Sequence, residues 1–344
     1  MSKVRIGIIG AGGIFRSRHL PGLAKIDQSE VVAICNRSEE SGRRIATEFG
    51  LSADVMTDPD ALLARGDIDA VMIGTWPYKH CPFVLAALDA GKHTFVQARM
   101  AMNLVESKQM YSKAQESGLV TQICPAPPWK ASRFLRRLID EGYCGDIYNV
   151  YVRDLSGVLV DPRSPLHWRM IDRYSGLNAL SVGITMERVH RVLGYFSEIT
   201  ARTEIFNSVR PLAGGVGNGP VERPETVHIL GRMQNGAEGA FIFSNMARFG
   251  SDPSLEIYGS EGTLLYDMST TVMGGKSGDE SLRELPIPDE EISRWTVEAD
   301  FVNAINGGPQ GDTSFYEGVR YMEVTEAVAR SMELGQTVHP PLTS

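Results

Sequence analysis

A short apolar run, Val4-Arg5-Ile6-Gly7-Ile8-Ile9, leads straight into Gly10-Ala11-Gly12-Gly13-Ile14. Glycines placed this way let a chain turn tightly after a strand. They also bring backbone N–H groups against a phosphate where a helix begins. Gly10 suits the turn and Gly12 the approach of a pyrophosphate, with Gly13 and Ile14 beside it. The third glycine of the dinucleotide fingerprint is missing, because Phe15 stands there. The second apolar run ends in Ala33-Ile34-Cys35-Asn36-Arg37-Ser38. An NAD site normally offers the ribose a carboxylate at that place. Here Asn36 is neutral and Arg37 follows it. A guanidinium suits a 2′-phosphate, and the absent carboxylate removes a repulsion, so NADP(H) is expected over NAD(H). Farther on, Glu187 and His190 stand three apart on a helical pattern, and both types can move protons. The plainer alternative pairs Glu187 with Arg188 or Arg191 and packs His190 at the helix edge. The same E-x-x-H spacing recurs at Glu225 and His228 on a strand-like run, where i and i+3 face opposite ways. Neither pair supplies enough ligands for a metal, and none is expected.

These residues need a scaffold. The chain has 344 residues, 42% hydrophobic and 22% charged, with a net charge of -8. Two domains are the natural prior for that length. The negative charge counts against nucleic acid and anionic membrane surfaces. No apolar run approaches the ~18 residues of a membrane span, and Met1-Ser2-Lys3 leaves no room for a signal peptide before the first strand. Cys35, Cys81, Cys124 and Cys144 lack paired spacing and read as buried thiols in a reducing cytoplasm. Strand patterns at 4–9, 30–35, 69–74 and 93–97 alternate with helical ones at 13–26, 39–49, 59–65 and 79–90. That alternation predicts βαβ units and a parallel sheet. A helix over 103–117, N-capped by Asn103, and a strand over 119–124 follow. Pro125-Ala126-Pro127-Pro128 then breaks the pattern, so residues 1–125 and 126–344 are read as two domains. The second is strand-rich, at 147–156, 199–206, 225–234, 238–246, 254–259 and 262–267, with helices near 130–141 and 177–193. It reads as α+β with a large, mainly antiparallel open sheet. Residues 211–220 and 274–290 read as exposed loops, and 295–306 and 316–334 as C-terminal helices.

The segments Gly10-Ala11-Gly12-Gly13-Ile14, Ala90-Gly91-Lys92-His93-Thr94-Phe95-Val96, Trp168-Arg169 and Ser260-Glu261-Gly262-Thr263 resemble the glucose–fructose oxidoreductase / inositol dehydrogenase / MocA family over nearly the whole chain. The resemblance implies a Rossmann domain, an α+β domain and a returning C-terminal helix. It implies hydride transfer between NAD(P) and a carbinol or keto carbon of a sugar, cyclitol or glycoside. Thr75, Trp76, Pro77, His80, Gln97 and Ala98 would then lie near the cofactor, and Trp168, Arg169 and Thr185 near the substrate. Two departures stand out. The family's Glu-Lys-Pro is Gln97-Ala98-Arg99 here, so the reacting oxygen loses its lysine. Arg99 stays charged and is suited to holding a ligand rather than moving protons. The family's Asp and His, four apart on a helix, align with Ser181 and Thr185. Glu187 and His190 become the substitute acid–base pair, with Lys130 a remote third. Two other classes stay open: a lyase, hydrolase or epimerase using bound nucleotide transiently, and a non-catalytic nucleotide sensor. Val227-His228-Ile229-Leu230 and Ala240-Phe241-Ile242-Phe243 are apolar on both alternating faces, which predicts a homodimer or homotetramer.

Overall fold

The computed structural model describes residues 3–311 and 313–342. Contacts divide the chain into two units. One holds the residues up to Pro125 together with Thr296–Val319, and the other holds Ala126–Trp295 with the residues from Arg320 on.

In the first unit, β1 (Val4–Ile9), β2 (Ser29–Cys35), β3 (Asp54–Met56), β4 (Ala70–Ile73), β5 (His93–Val96) and β6 (Thr121–Ile123) form one sheet in the order β3-β2-β1-β4-β5-β6. Every pairing is parallel. Parallel strands bury both faces, which is why β1 and β4 read as nearly unbroken apolar runs. The order reverses between β1 and β4, the place where such sheets bind ligands. Helices Glu39–Glu48 and Leu104–Ser117 are capped by their sequence. Ser38 Oγ accepts from the Ser41 N–H at 3.3 Å, and Asn103 Oδ1 from Glu106 at 2.9 Å. The expected helix over 13–26 begins instead as a π-helical turn, Phe15–His19, before the α-helix Leu20–Leu23. Phe15 also explains the defective glycine fingerprint. Its ring lies against Gly74, where a Cβ would overlap the ring edge. The small residue that close packing requires has moved from the helix to the strand end. The three-residue β3 carries too short a pattern to be read from sequence.

The second unit holds β7 (Ile147–Leu155), β8 (Phe196–Glu204), β9 (Val209–Pro211), β10 (Asn218–Pro220), β11 (Thr226–Met233), β12 (Glu238–Ser244), β13 (Ser254–Gly259), β14 (Gly262–Tyr266), β15 (Val272–Lys276) and β16 (Arg283–Glu284). Eight of them make a sheet in the order β16-β15-β14-β13-β7-β12-β11-β8. It is antiparallel except where β7 runs parallel to β12. The two stretches expected as loops are partly strand: 211–220 contributes to the β9–β10 ribbon, and 274–290 contains the end of β15 and all of β16. Glycines and prolines there masked the pairing. Along β11, Val227 and Ile229 are buried while His228 and Leu230 are exposed, the period-2 alternation of a one-sided sheet. On the buried face Phe241 meets Phe196, and Tyr266 meets Trp129, with ring centroids 5.0 and 6.0 Å apart. Helices Ser132–Asp140 and Val182–Leu193 pack against each other, and His190 of the second meets Phe196 on that side. Among the described residues, no helix is long and apolar enough to cross a membrane.

Candidate functional site

A cavity of about 420 Å³ opens at the β1/β4 switch in the first unit, lined by Gly10, Gly12, Asn36, Arg37, Thr75 and Trp76 among others. Gly10 has φ +87°, and a Cβ there would press on the Thr75 nitrogen at 2.9 Å. A Cβ on Gly12 would meet only Gly10 O, 3.9 Å away, so the backbone is bare toward open space. The Thr75 hydroxyl is buried and has no hydrogen-bond partner. A turn stripped of side chains and an orphaned hydroxyl fit a pyrophosphate. Gly13 and Ile14 are exposed at the start of the helical turn. Asn36 Oδ1 accepts from the Ala11 N–H at 2.8 Å, which leaves its NH₂ as the group to offer a ribose. Arg37 is exposed at the cavity, and Arg44 and Ser41 line it too. Neither guanidinium has an ion-pair or hydrogen-bond partner among the described residues. Arg44 went unnoticed in the sequence, although it lies on the helix that Ser38 caps. Ser38 itself is engaged in that cap.

His80, expected near the cofactor, is a buried strut. Its Nε2 lies 2.9 Å from Thr75 O, and its Nδ1 lies 2.9 and 3.2 Å from the carbonyls of Arg99 and Met100. Burial holds the imidazole below its ordinary pKa, outweighing those carbonyls. The ring therefore ties the Thr75 loop to the Gln97-Ala98-Arg99 turn. Pro77 is buried in the 3₁₀ turn between them. A second strut, His19, is completely buried. Its Nδ1 lies 2.5 Å from Glu298 Oε1, and its Nε2 meets Gln97 Nε2. A ring protonated on Nδ1 donates to Glu298 and accepts from the Gln97 amide, which fixes how Gln97 sits. Ala98 and Arg99 follow, half-buried. No local pattern marked His19 or Glu298, because 279 residues separate them.

In the second unit the structure gives Glu187 and His190 other work. Glu187 is buried; Arg191 Nε donates to its Oε1 at 2.7 Å, and the Ala126 N–H donates to its Oε2 at 2.9 Å. It anchors the start of the unit, with no oxygen left over. His190 is buried between Tyr195 and Phe196, and neither ring nitrogen has a partner. Burial and the nearby Arg320 push its pKa down to about 3, so it is a packing residue at neutral pH. The open carboxylate is Asp154, at the end of β7. Ser181 Oγ donates to its Oδ2 at 2.6 Å, and Thr185 Oγ1 to the same oxygen at 3.3 Å. Ser181 and Thr185 are one turn apart, and Arg188 follows on the same face. Arg188 Nε donates to Pro127 O at 2.8 Å; burial lowers its pKa, opposed by the charges of Glu187 and Asp154. Leu180, just before Ser181, has φ 46°, a strained conformation that aims the helix start. Glu225 and His228 part as expected, one buried and one exposed. Among the described residues no three His, Cys, Asp or Glu side chains group as a metal site.

Trp168 and Arg169 stack, the guanidinium 4.3 Å from the indole. The segment before them is held by Arg210, wholly buried, which donates to the carbonyls of Leu159 and Asp161 at 2.5 and 2.9 Å and to Glu225 Oε1 at 2.6 Å. Lys130 is exposed.

The oxidoreductase pattern described as an NAD-binding Rossmann fold of the GFO/IDH/MocA type matches residues 4–124, and the GFO/IDH/MocA C-terminal domain pattern matches residues 132–265. The chain belongs to the GFO/IDH/MocA family. Levoglucosan dehydrogenase of Pseudarthrobacter phenanthrenivorans is 26% identical over the full length of both chains. The 1,5-anhydro-D-fructose reductase of Ensifer adhaerens is 26% identical over 96% of this chain and 97% of its own. A solved levoglucosan dehydrogenase complex with NADH and levoglucosan superimposes with a TM-score of 0.87 at 23% identity, covering 99% of this chain and 100% of that one, and so shares the fold. This GFO/IDH/MocA member is an oxidoreductase whose residues 4–124 match the family's NAD-binding Rossmann fold.

Proposed function

We propose that the chain oxidises or reduces a CH–OH carbon of a sugar, cyclitol or glycoside with NADP(H), NAD(H) being the poorer cofactor. The observation that carries the cofactor reading is the pair of unpartnered arginines, Arg37 and Arg44, at a cavity where Asn36 stands in place of a carboxylate. Two free guanidinium groups suit a dianionic phosphate and have no comparable use for a bare ribose. The relatives' names point to neutral, hydroxyl-rich rings. The stacked Trp168–Arg169 pair suits such a ring, with an apolar plate and a fixed donor fork. Arg99 is a further candidate donor. Four buried cysteines accord with a cytoplasmic setting.

The test is direct titration of both nucleotides by fluorescence. The native protein is expected to bind NADPH at least tenfold tighter than NADH. Arg37→Ala and Arg44→Ala are each expected to erase most of that preference while leaving NADH affinity nearly unchanged. Equal affinities in the native protein would sink the cofactor reading. Turnover of a polyol panel without net use of nucleotide would favour the transient-oxidation class instead.

A homo-oligomer is part of the same reading. On the open face of the sheet, Leu230, Ala240 and Tyr151 lie in register across three strands, with Leu230 64% and Tyr151 40% exposed. Tyr258 meets Tyr151 edge to face, with ring centroids 5.9 Å apart. This short apolar row, flanked by Thr200 on one side and by the Arg153–Glu256 ion pair on the other, is expected to be covered by a second copy. Light scattering at micromolar concentration is expected to give a dimer or tetramer, and Leu230→Glu to weaken it. A monomeric native protein would contradict this.

A further inference from the structure

We infer that Asp154 is the group that takes the substrate's hydroxyl proton. The inference rests on the oxidoreductase reading and names the base that the reading lacks.

Three observations lead to it. First, the family resemblance expects an Asp and a His four apart on the Val182–Leu193 helix and its cap, and those places hold Ser181 and Thr185. Both hydroxyls are turned onto one oxygen of Asp154, across sequence separations of 27 and 31 residues. The carboxylate has been transposed from the helix to the neighbouring strand and faces the same two positions. Second, the carboxylate is half-engaged. Oδ2 accepts two hydroxyl donors, while Oδ1 has no partner among the described residues, and the residue is only partly buried. A group fixed in direction on one side and open on the other is what proton abstraction requires. Third, the competing groups on the helix are spent. Glu187 has both oxygens bonded, His190 is walled in by aromatic rings, and an arginine stays protonated. Ser181 even forgoes the usual capping bond of its own helix to reach Asp154.

The step balances without further reagents. The C–H bond of the carbinol carbon breaks with its electron pair, which leaves as hydride to C4 of the oxidised nicotinamide. The O–H bond breaks and its proton passes to Asp154 Oδ1. The carbonyl double bond forms, and in reduction the same proton returns. Ser181 and Thr185 are positioning residues that hold Oδ2. Arg188, one turn on, adds positive charge beside the carboxylate.

Asp154→Asn keeps the shape and an acceptor for both hydroxyls. With myo-inositol, glucose and levoglucosan as the panel, kcat on the best substrate is expected to fall by about 100- to 10,000-fold, the range for a general base. KM, the dissociation constant of NADPH, the dissociation constant of the polyol in its dead-end complex with NADPH, and the thermal midpoint are all expected to stay within error of the native protein. A second variant moves the carboxylate back across: Asp154→Ser combined with Ser181→Asp is expected to recover at least tenfold in kcat over Asp154→Ser alone. An Asp154→Asn enzyme within tenfold of native kcat, or a double variant no better than the single one, would overturn the assignment while leaving the oxidoreductase reading intact. A native protein that turns over none of the panel with either nucleotide would overturn both.

Discussion

Replacing Arg210 with methionine is expected to lower the unfolding free energy by about 3–5 kcal/mol, the scale for stranding one member of a buried ion pair. Both partners are 0% exposed, and the bond to Glu225 is 2.6 Å long. Without Arg210, the Glu225 carboxylate stays buried and keeps only the Phe206 and Asn207 N–H groups, at 2.8 and 2.9 Å. The Leu159 carbonyl loses its Arg210 donor at the same time, and the Asp161 carbonyl keeps only the Ser164 N–H. The loss should therefore be local as well as global, with faster proteolytic cleavage before Trp168. Urea unfolding followed by tryptophan fluorescence measures the first, and limited proteolysis the second. The double variant Arg210→Met with Glu225→Gln removes both charges and is expected to recover a good part of the loss. A loss under about 1 kcal/mol in the single variant would show that the pair is not the clamp described here.

His190 is expected to make the protein acid-sensitive. Its folded pKa is depressed to about 3, against an ordinary 6.5 in the unfolded chain. Above pH 6.5 the ring is neutral in both states and folding carries no penalty. As the pH falls from 6.5 toward 3 the unfolded chain takes up a proton that the folded one refuses, and stability drops by about 1.4 kcal/mol per unit. The surroundings explain the refusal. Tyr195 and Phe196 enclose the ring, and the Arg320 guanidinium, 4.2 Å over Tyr195 and paired with Glu323, repels a second cation. Between pH 7 and pH 5 the native protein is expected to lose about 2 kcal/mol more than His190→Leu. Parallel stability curves for the two proteins would rule out His190 as the sensor.

The parallel sheet was legible because β1, β2, β4 and β5 are short apolar runs, each with a helical pattern after it. The nucleotide turn was legible because its glycines cluster directly after the first strand. Legibility ended where function depends on distance along the chain. Glu187 and Arg191, four apart on a helix, could have been read as a pair, and the plainer alternative said as much. Asp154 could not have been read. Its partners lie more than 25 residues away, and on its own it is one more polar residue at a strand end. Arg44 was hidden differently. It sits on the helix that Ser38 starts, and only the fold brings it to the same cavity as Arg37. The β15–β16 pairing was obscured by Met273-Gly274-Gly275-Lys276, whose glycines read as a loop but leave room for Leu285 and Tyr143 in the folded sheet.

The return of Thr296–Val319 to the first unit sets the order in which the protein can be completed on the ribosome. The Gln122 side chain donates to Val297 O at 3.0 Å, Ile123 N–H to Thr313 O at 3.1 Å, and His19 faces Glu298. A nascent chain that has emerged as far as Pro125 has every strand of the first sheet but none of these partners. The whole of Ala126–Trp295 must be synthesised before they appear, so the unit begun first is closed late, after the inserted one has had time to fold. A chaperone acting on this protein would meet an exposed β6 edge and a His19 still lacking its Glu298 carboxylate for roughly ten seconds or more at ordinary elongation rates. For the same reason, exchanging nucleotide domains between such enzymes by a cut at 125 would leave the graft open; the transplant has to carry both pieces.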